Sequence, residues 1–272
     1  MTKLFASPPF AEIFAREDPF LWLARQDGEL FRDAPARRTL RFELAGKAYF
    51  VKLHGGVGWR EILKNLLSLR LPVLDARQEK DAVAALIAAE VPTLDVVAWG
   101  VSGRDPARRR SFLITREIAS DATLDDLARR AQGQAVGVVE KRRLVGEVAE
   151  LVRRMHAAGI NHRDLYLVHF LLGAAVGRGP AVEVGDRCSR RLHLIDLHRA
   201  GIRPRVPRRW LIKDLGSLHF SAMAAPLTAR DRLRFLRAYR ARPLRAVLAE
   251  EGGFWRAVER RGQRLWHAAR QA

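Results

Sequence analysis

The chain has 272 residues, 49 Lys+Arg against 30 Asp+Glu for a formal net charge of +19, and 48% hydrophobic residues. That length and apolar share suit one large domain or two lobes and argue against disorder, the single cysteine, Cys188, excludes a disulfide scaffold, and apolar runs such as 83–89 fall far short of the ~20 residues that span a bilayer. The charge asks for an anionic partner (nucleic acid, membrane surface or phosphorylated substrate), and Pro8, Pro9 and Glu12 interrupt the N-terminus where a signal peptide needs an apolar core, so a soluble cytoplasmic protein is expected.

The first third reads mainly as strands. RRTLRFEL (37–44) alternates polar and apolar residues, Ala45-Gly46-Lys47 reads as a turn, and AYFVKL (48–53) returns as a second strand. Residues 60–71 form a basic amphipathic helix ended by Pro72, and 75–90 a second helix followed by Pro92. Two further strands are predicted over 94–100 and 110–117, joined by the charged stretch 102–109. After Glu117 the period changes. A helix opens at Asp121 with acidic residues at its positive end, and a long one runs from Glu140 to a stop at Gly159. Residues 178–191 read as a loop or hairpin. From Thr228 on the pattern is helical and very basic, with Thr228 and Asp231 forming a capping box.

Two polar residues stand where polarity is costly: Lys52 in an apolar strand and Asp196 in the apolar run LHLIDL; a third, Asp164, follows a helix end in His162-Arg163-Asp164. Phosphoryl transfer from ATP needs a cation on the phosphates, a carboxylate on Mg²⁺ and a carboxylate at the attacking hydroxyl. Lys52, Asp196 and Asp164 are those types in that chain order. An acidic residue on the following helix should hold Lys52: Glu79 is the first candidate, with Glu61 and Glu90 as rivals.

This pattern of strand lysine, helix glutamate, HRD loop and later aspartate resembles the protein-kinase-like superfamily. HRDLYLVHFLL, LIDLHRA and WLIKDLGSL, with RRTLRFELAGKAYFVKLH upstream, resemble more closely the lipopolysaccharide core heptose(I) kinase family over roughly residues 31–221. The resemblance implies an α+β, two-lobed kinase-like fold, with a strand-rich N-lobe over 1–117 and a helical C-lobe over 118–272. It implies ATP-dependent phosphorylation of the first heptose of the lipopolysaccharide inner core, at the cytoplasmic face of the inner membrane.

Asp164 is then the catalytic base or orienter, with Arg163 and His162 shaping its loop, and Asp196 the Mg²⁺ ligand. Lys52, paired with Glu79, meets the nucleotide phosphates. The usual DFG is here Asp196-Leu197-His198, without the residues of a switchable loop. His169 stands where protein kinases carry a metal-binding asparagine, so it holds the loop, contacts phosphate or assists a metal. No G-x-G-x-x-G precedes Lys52, and the nucleotide-covering segment is assigned to Gly28–Arg32. Residues 115–118, with Glu117 and Ile118, form the hinge that meets adenine through backbone groups. Asp214 should hold the HRD loop by its backbone.

Two basic regions, 59–70 and the arginines of 230–245, suit an anionic membrane, acidic core sugars or an acidic protein such as an acyl carrier protein. Each could equally be the wet face of an ordinary helix. Two other readings compete: a kinase of another acceptor (the sugar Kdo, a protein Tyr or Ser, a small molecule), and a non-catalytic basic membrane- or nucleic-acid-binding protein. RNA-binding motifs and a helix-turn-helix are absent from the sequence, which speaks against nucleic acid.

Overall fold

The structure, a computed structural model, describes residues 3–34, 37–56, 58–67, 75–131, 137–173 and 191–271. The loop expected over 178–191, but for its last residue, and the expected end of the first basic helix at Pro72 lie outside them. The chain is an α+β protein of two compact units. One comprises Met1–Ala84, Leu94–Ile118 and Leu197–Arg199; the other comprises Ala85–Thr93, Ala119–Asp196 and Ala200–Ala272.

In the first unit the chain runs β1 (Lys3–Ala6), α1 (Phe10–Phe14), α2 (Pro19–Ala24), β2 (Glu29–Ala34), β3 (Arg37–Leu44), β4 (Lys47–His54), α3 (Gly58–Leu67), α4 (Arg77–Ala88, which continues past this unit), β5 (Asp95–Ser102) and β6 (Arg110–Arg116). Six strands form one antiparallel sheet in the order β1-β5-β6-β4-β3-β2. The expected hairpin is there. β3 and β4 pair from Arg37↔His54 to Leu44↔Lys47, around Ala45 and Gly46 at φ 49° and 70°. Two consecutive positive φ values suit a tight hairpin turn, because they match the strands' right-handed twist. The alternation in 37–44 buries Leu40 and Phe42.

Helices α1 and α2 were not legible in the sequence. They bring Phe10, Phe14, Phe20 and Leu23 onto that same face, and Phe10 meets Tyr49 edge-on at 4.9 Å. Each such pair contributes about 0.5–1.5 kcal/mol beyond simple burial. Asp18 caps α2, its Oδ1 accepting from the Phe20 and Leu21 N–H groups, with Pro19 in the first turn.

The second unit contains β7 (Ser120–Thr123), α5 (Leu124–Arg130), α6 (Val138–Ala157), β8 (Ile160–Asn161), β9 (Phe170–Gly173), β10 (Leu192–Leu194), β11 (Gly201–Ile202), α7 (Arg208–Ala222), α8 (Ala229–Arg240) and α9 (Leu244–Gln271). It differs from the sequence reading at Asp121, which lies in a strand rather than at a helix start. Residues 120–123 pair with β9, and Thr123 begins the helix instead. Thr123 Oγ1 accepts from the Asp126 N–H while the Asp126 carboxylate accepts from Thr123 N–H, so the acidic signal belonged to the turn after the strand. The Thr228–Asp231 box at α8 is present as expected. Gly159, at φ +76°, ends α6 where an added Cβ would strike the Arg203 carbonyl. No helix among the described residues is long and apolar enough to cross a membrane.

Candidate active site

Lys52 occupies a central position of the sheet, opposite Thr39 of β3 and Leu113 of β6. Its Nζ donates to Glu79 Oε1 at 2.5 Å, and the glutamate side chain is 2% exposed. A carboxylate this buried needs its cation. The rival Glu90 is an exposed residue within 3.6 Å of Arg154, and the side chain of Glu61 lies outside the described residues. At the expected hinge, Glu117 gives its carboxylate to Arg41 (both contacts 2.9 Å) and its N–H to the Ala48 carbonyl. Its side chain and its N–H are thus spoken for. Gly28 precedes β2, where an added Cβ would run into the Arg41 carbonyl. Close backbone approach accounts for that glycine.

In the second unit, His162, Arg163 and Asp164 follow β8. Asp214 of α7, fully buried, holds this loop as expected: Oδ2 accepts from His162 N–H at 2.7 Å and Oδ1 from Arg163 N–H at 2.8 Å. Its Oδ2 also lies 3.3 Å from His156 Nε2, whose ring contacts the Tyr239 hydroxyl through Nδ1 at 2.8 Å. Arg163 and Asp196 both have positive φ, 73° and 62°. Non-glycine residues in that region cost of order 1–3 kcal/mol and persist where surrounding bonds fix them. Here the Asp214 bonds fix the first. The peptide of Ile195 fixes the second, because its carbonyl accepts from His162 Nε2 at 3.0 Å and its N–H donates to the His169 carbonyl at 3.0 Å.

The two histidines stack, with centroids 5.4 Å apart and planes 18° off parallel. Burial, against the pull of Asp214, holds the His162 pKa below the usual imidazole value, so the ring is neutral and donates from Nε2. His169 donates Nδ1–H to the Asp164 carbonyl at 2.7 Å. A carbonyl only accepts, so Nδ1 carries a proton, and Nε2 lies 3.6 Å from Asp196 Oδ2. Asp164, His169 and Asp196 are thus brought together, each partly exposed. Among the described residues no group of three or more His, Cys, Asp or Glu could hold a metal. A pair of ligands is still a fit for Mg²⁺, which keeps several waters and takes substrate phosphates as its other ligands.

The sequence reading missed the role of RPRVPRRW (203–210). The guanidinium of Arg163 lies 4.8 Å from the Trp210 ring centroid, so its side chain packs on α7. Of the expected basic run, Arg234, Arg240 and Arg242 pair with Asp231, Glu251 and Glu250, while Arg230, Arg232, Arg237 and Arg245 are exposed. In α3, Trp59 and Leu63 are exposed.

The model of the lipopolysaccharide kinase (Kdo/WaaP) family matches residues 22–239. The chain is 44% identical to the lipopolysaccharide core heptose(I) kinase WaaP of Pseudomonas aeruginosa, covering 97% of this chain and 96% of that protein. It is 41% identical to the protein of the same name from Escherichia coli K12, covering 94% of each. A solved structure described as WaaP in complex with acyl carrier protein superposes with a TM-score of 0.80 at 39% identity, over 97% of this chain and 99% of the other. These matches run over nearly the whole chain, and the chain belongs to the lipopolysaccharide kinase (Kdo/WaaP) family.

Proposed function

We propose that this protein is an ATP-dependent kinase that phosphorylates the first heptose of the lipopolysaccharide inner core. The observation that carries the reading is the frame around Ile195 and Asp214, which fixes Asp164, His169 and Asp196 in one constellation. Relatives over 40% identical across nearly the whole chain carry the heptose(I) kinase name, which favours that acceptor over Kdo, a protein side chain or a small molecule.

In this reading Asp164 accepts a hydrogen bond from the acceptor hydroxyl, aims its oxygen at the γ-phosphorus and receives the proton as the new P–O bond forms and the bond to the bridging oxygen breaks, releasing ADP. Lys52, steadied by Glu79, binds the nucleotide phosphates. The backbone of Glu117 and Ile118 receives adenine. Asp196, with His169, would hold Mg²⁺. When bound, that ion neutralises phosphate charge and orients the transferring group. His162 and Arg163 position the loop, and Asp214 holds the backbone of both.

The acyl carrier protein named with the solved relative suits a chain of net charge +19. An apolar cavity of about 610 Å³, walled by Leu144, Val148, Leu215, Leu236 and Trp255 among others, would accept the fatty chain of such a partner. Exposed Trp59 and Leu63 beside Arg60 and Lys64 suit peripheral contact with the cytoplasmic face of the inner membrane.

The test is transfer of labelled phosphate from ATP and Mg²⁺ to unphosphorylated core lipopolysaccharide, and to an acceptor ending at Kdo, by wild type and Asp164→Ala. Transfer to the heptose-bearing acceptor by the wild type alone is expected. Turnover retained by Asp164→Ala removes that residue's role. Transfer only to Kdo, or to neither acceptor, overturns the substrate.

A further inference from the structure

Four cations surround one indole in the second unit. The charged groups of Arg163, Arg203, Arg209 and Lys213 lie 4.8, 5.6, 5.6 and 5.4 Å from the Trp210 ring centroid. An aromatic face attracts a cation, and one ring offers two faces. Four like charges around it repel one another unless an anion joins them. Two of them have no carboxylate. Arg203 and Arg209 form no ion pair among the described residues, and the nearby Asp214 carboxylate is committed to backbone N–H groups.

The arrangement is built. Arg203 Nη1 donates at 2.5 Å to Oδ1 of Asn161, a fully buried residue directly before His162. Gly201 makes room for this pair, since a Cβ there would press on both the guanidinium and the amide oxygen. The Asn161 Nδ2 and Trp210 Nε1 groups are buried and have no acceptor among the described residues, so this neighbourhood is rich in donors and poor in acceptors. Arg205 and Arg208, both exposed, extend the positive surface along the same stretch. The cluster includes Arg163, whose Cα is one peptide step from that of Asp164.

We propose that Arg203 and Arg209, mounted on Trp210, form an anion subsite that grips an acidic group of the acceptor beside the hydroxyl being phosphorylated. The inference rests on the kinase reading above and deepens it. The group is a carboxylate or phosphate: the acidic sugar of the inner core and the lipid phosphates are its two sources. Arginine forks match both geometrically. Binding there fixes which hydroxyl reaches Asp164, so Arg203 and Arg209 are positioning residues that read the acceptor's charge.

The experiment measures acceptor KM, ATP KM and kcat for wild type, Arg209→Gln, Arg203→Lys and Arg203→Gln. It uses three acceptors: intact core lipopolysaccharide, the same material with carboxyl groups reduced, and the same material dephosphorylated. Equilibrium binding of each acceptor without nucleotide is measured in parallel. Arg209→Gln is expected to raise the KM of the intact acceptor about tenfold, the loss of one charge-assisted contact. Its kcat and ATP KM should stay near wild type, and Arg203→Lys should keep more affinity than Arg203→Gln. The effect of each Gln variant should vanish on the acceptor that lacks the gripped group, which identifies the source. Unchanged acceptor KM and binding in both Gln variants overturns the subsite and leaves the kinase standing. So does an equal loss on all three acceptors. A wild type that binds nucleotide but neither binds nor phosphorylates any core acceptor overturns both readings.

Discussion

The Nε2 atom of His169 lies 3.6 Å from Oδ2 of Asp196. The Nδ1–H of the same ring is donated to the Asp164 carbonyl, and a cation between Nε2 and the carboxylate would join the two.

An imidazole in an ion's shell favours Mn²⁺ over Mg²⁺, because Mg²⁺ takes oxygen by preference. His169→Asn keeps a donor for the Asp164 carbonyl and offers oxygen to the ion. It should lower Mn²⁺ affinity of the complex with a non-hydrolysable ATP analogue about tenfold and Mg²⁺ affinity less. Paramagnetic titration with Mn²⁺, with Mg²⁺ as competitor, reads this directly. An unaltered preference would place His169 outside the ion's shell.

Asp214→Asn leaves one carboxamide oxygen to serve the His162 and Arg163 N–H groups, and turns an NH₂ toward whichever is left. An orphaned buried donor costs about 1–3 kcal/mol, and urea denaturation should show that loss. Because the bonds set the loop ahead of Asp164, kcat should fall while ATP KM changes little. A variant with full kcat and reduced stability would make Asp214 a folding residue alone.

Removing Lys52 strands Glu79. Lys52→Ala should cost about 3–5 kcal/mol, the usual range for breaking a buried pair. Lys52→Ala with Glu79→Gln should recover a large part of it, since a neutral amide replaces the stranded charge. Both should lose nucleotide affinity equally. Stability in the double variant no better than in Lys52→Ala would show that the pair is not what the lysine supports.

Asp231 couples acid stability to the α8 cap. Burial raises its pKa, but the Thr228 N–H and hydroxyl and the Lys141 ammonium outweigh that and hold it at about 2. A carboxyl depressed on folding stabilises the native state fully above its unfolded pKa, near 4, and that contribution drains away as pH falls toward 2. Up to about 2 kcal/mol is at stake. Melting temperature in wild type should therefore drop more steeply between pH 4 and 2 than in Asp231→Asn. Parallel curves would exclude the carboxylate as the cause.

The reaction centre was far more legible than its surroundings. Lys52 could be named from the sequence because charge in an apolar run has few physical excuses, Glu79, 27 residues on, as an acidic residue of the helix that follows, and the hold of Asp214 on the HRD loop from the family resemblance. The hairpin was legible from its period of two. Helices α1 and α2 were not, since five and six residues are too few to show a period, and their apolar residues serve a sheet rather than one another. β7 was missed because its partner β9 lies far along the chain, and pairing overrode the local helix signal. The cation cluster was hidden for a different reason. Arg163 lies far along the chain from the stretch that holds Arg203 and Arg209, and a basic run looks the same on paper whether water or an indole meets it.

The chain reaches α7 at Arg208 soon after Asp196, and on the way β11 is zipped to β8 while Arg203 N–H is tied to the Gly159 carbonyl. Such a tether carries no slack. Protein kinases use a long segment at this point as a latch that modification opens and shuts. Here the β11–β8 pairing and the Arg203–Gly159 bond tie a short connection back to the residues just before the His162–Asp164 loop, so folding itself sets that loop's surroundings.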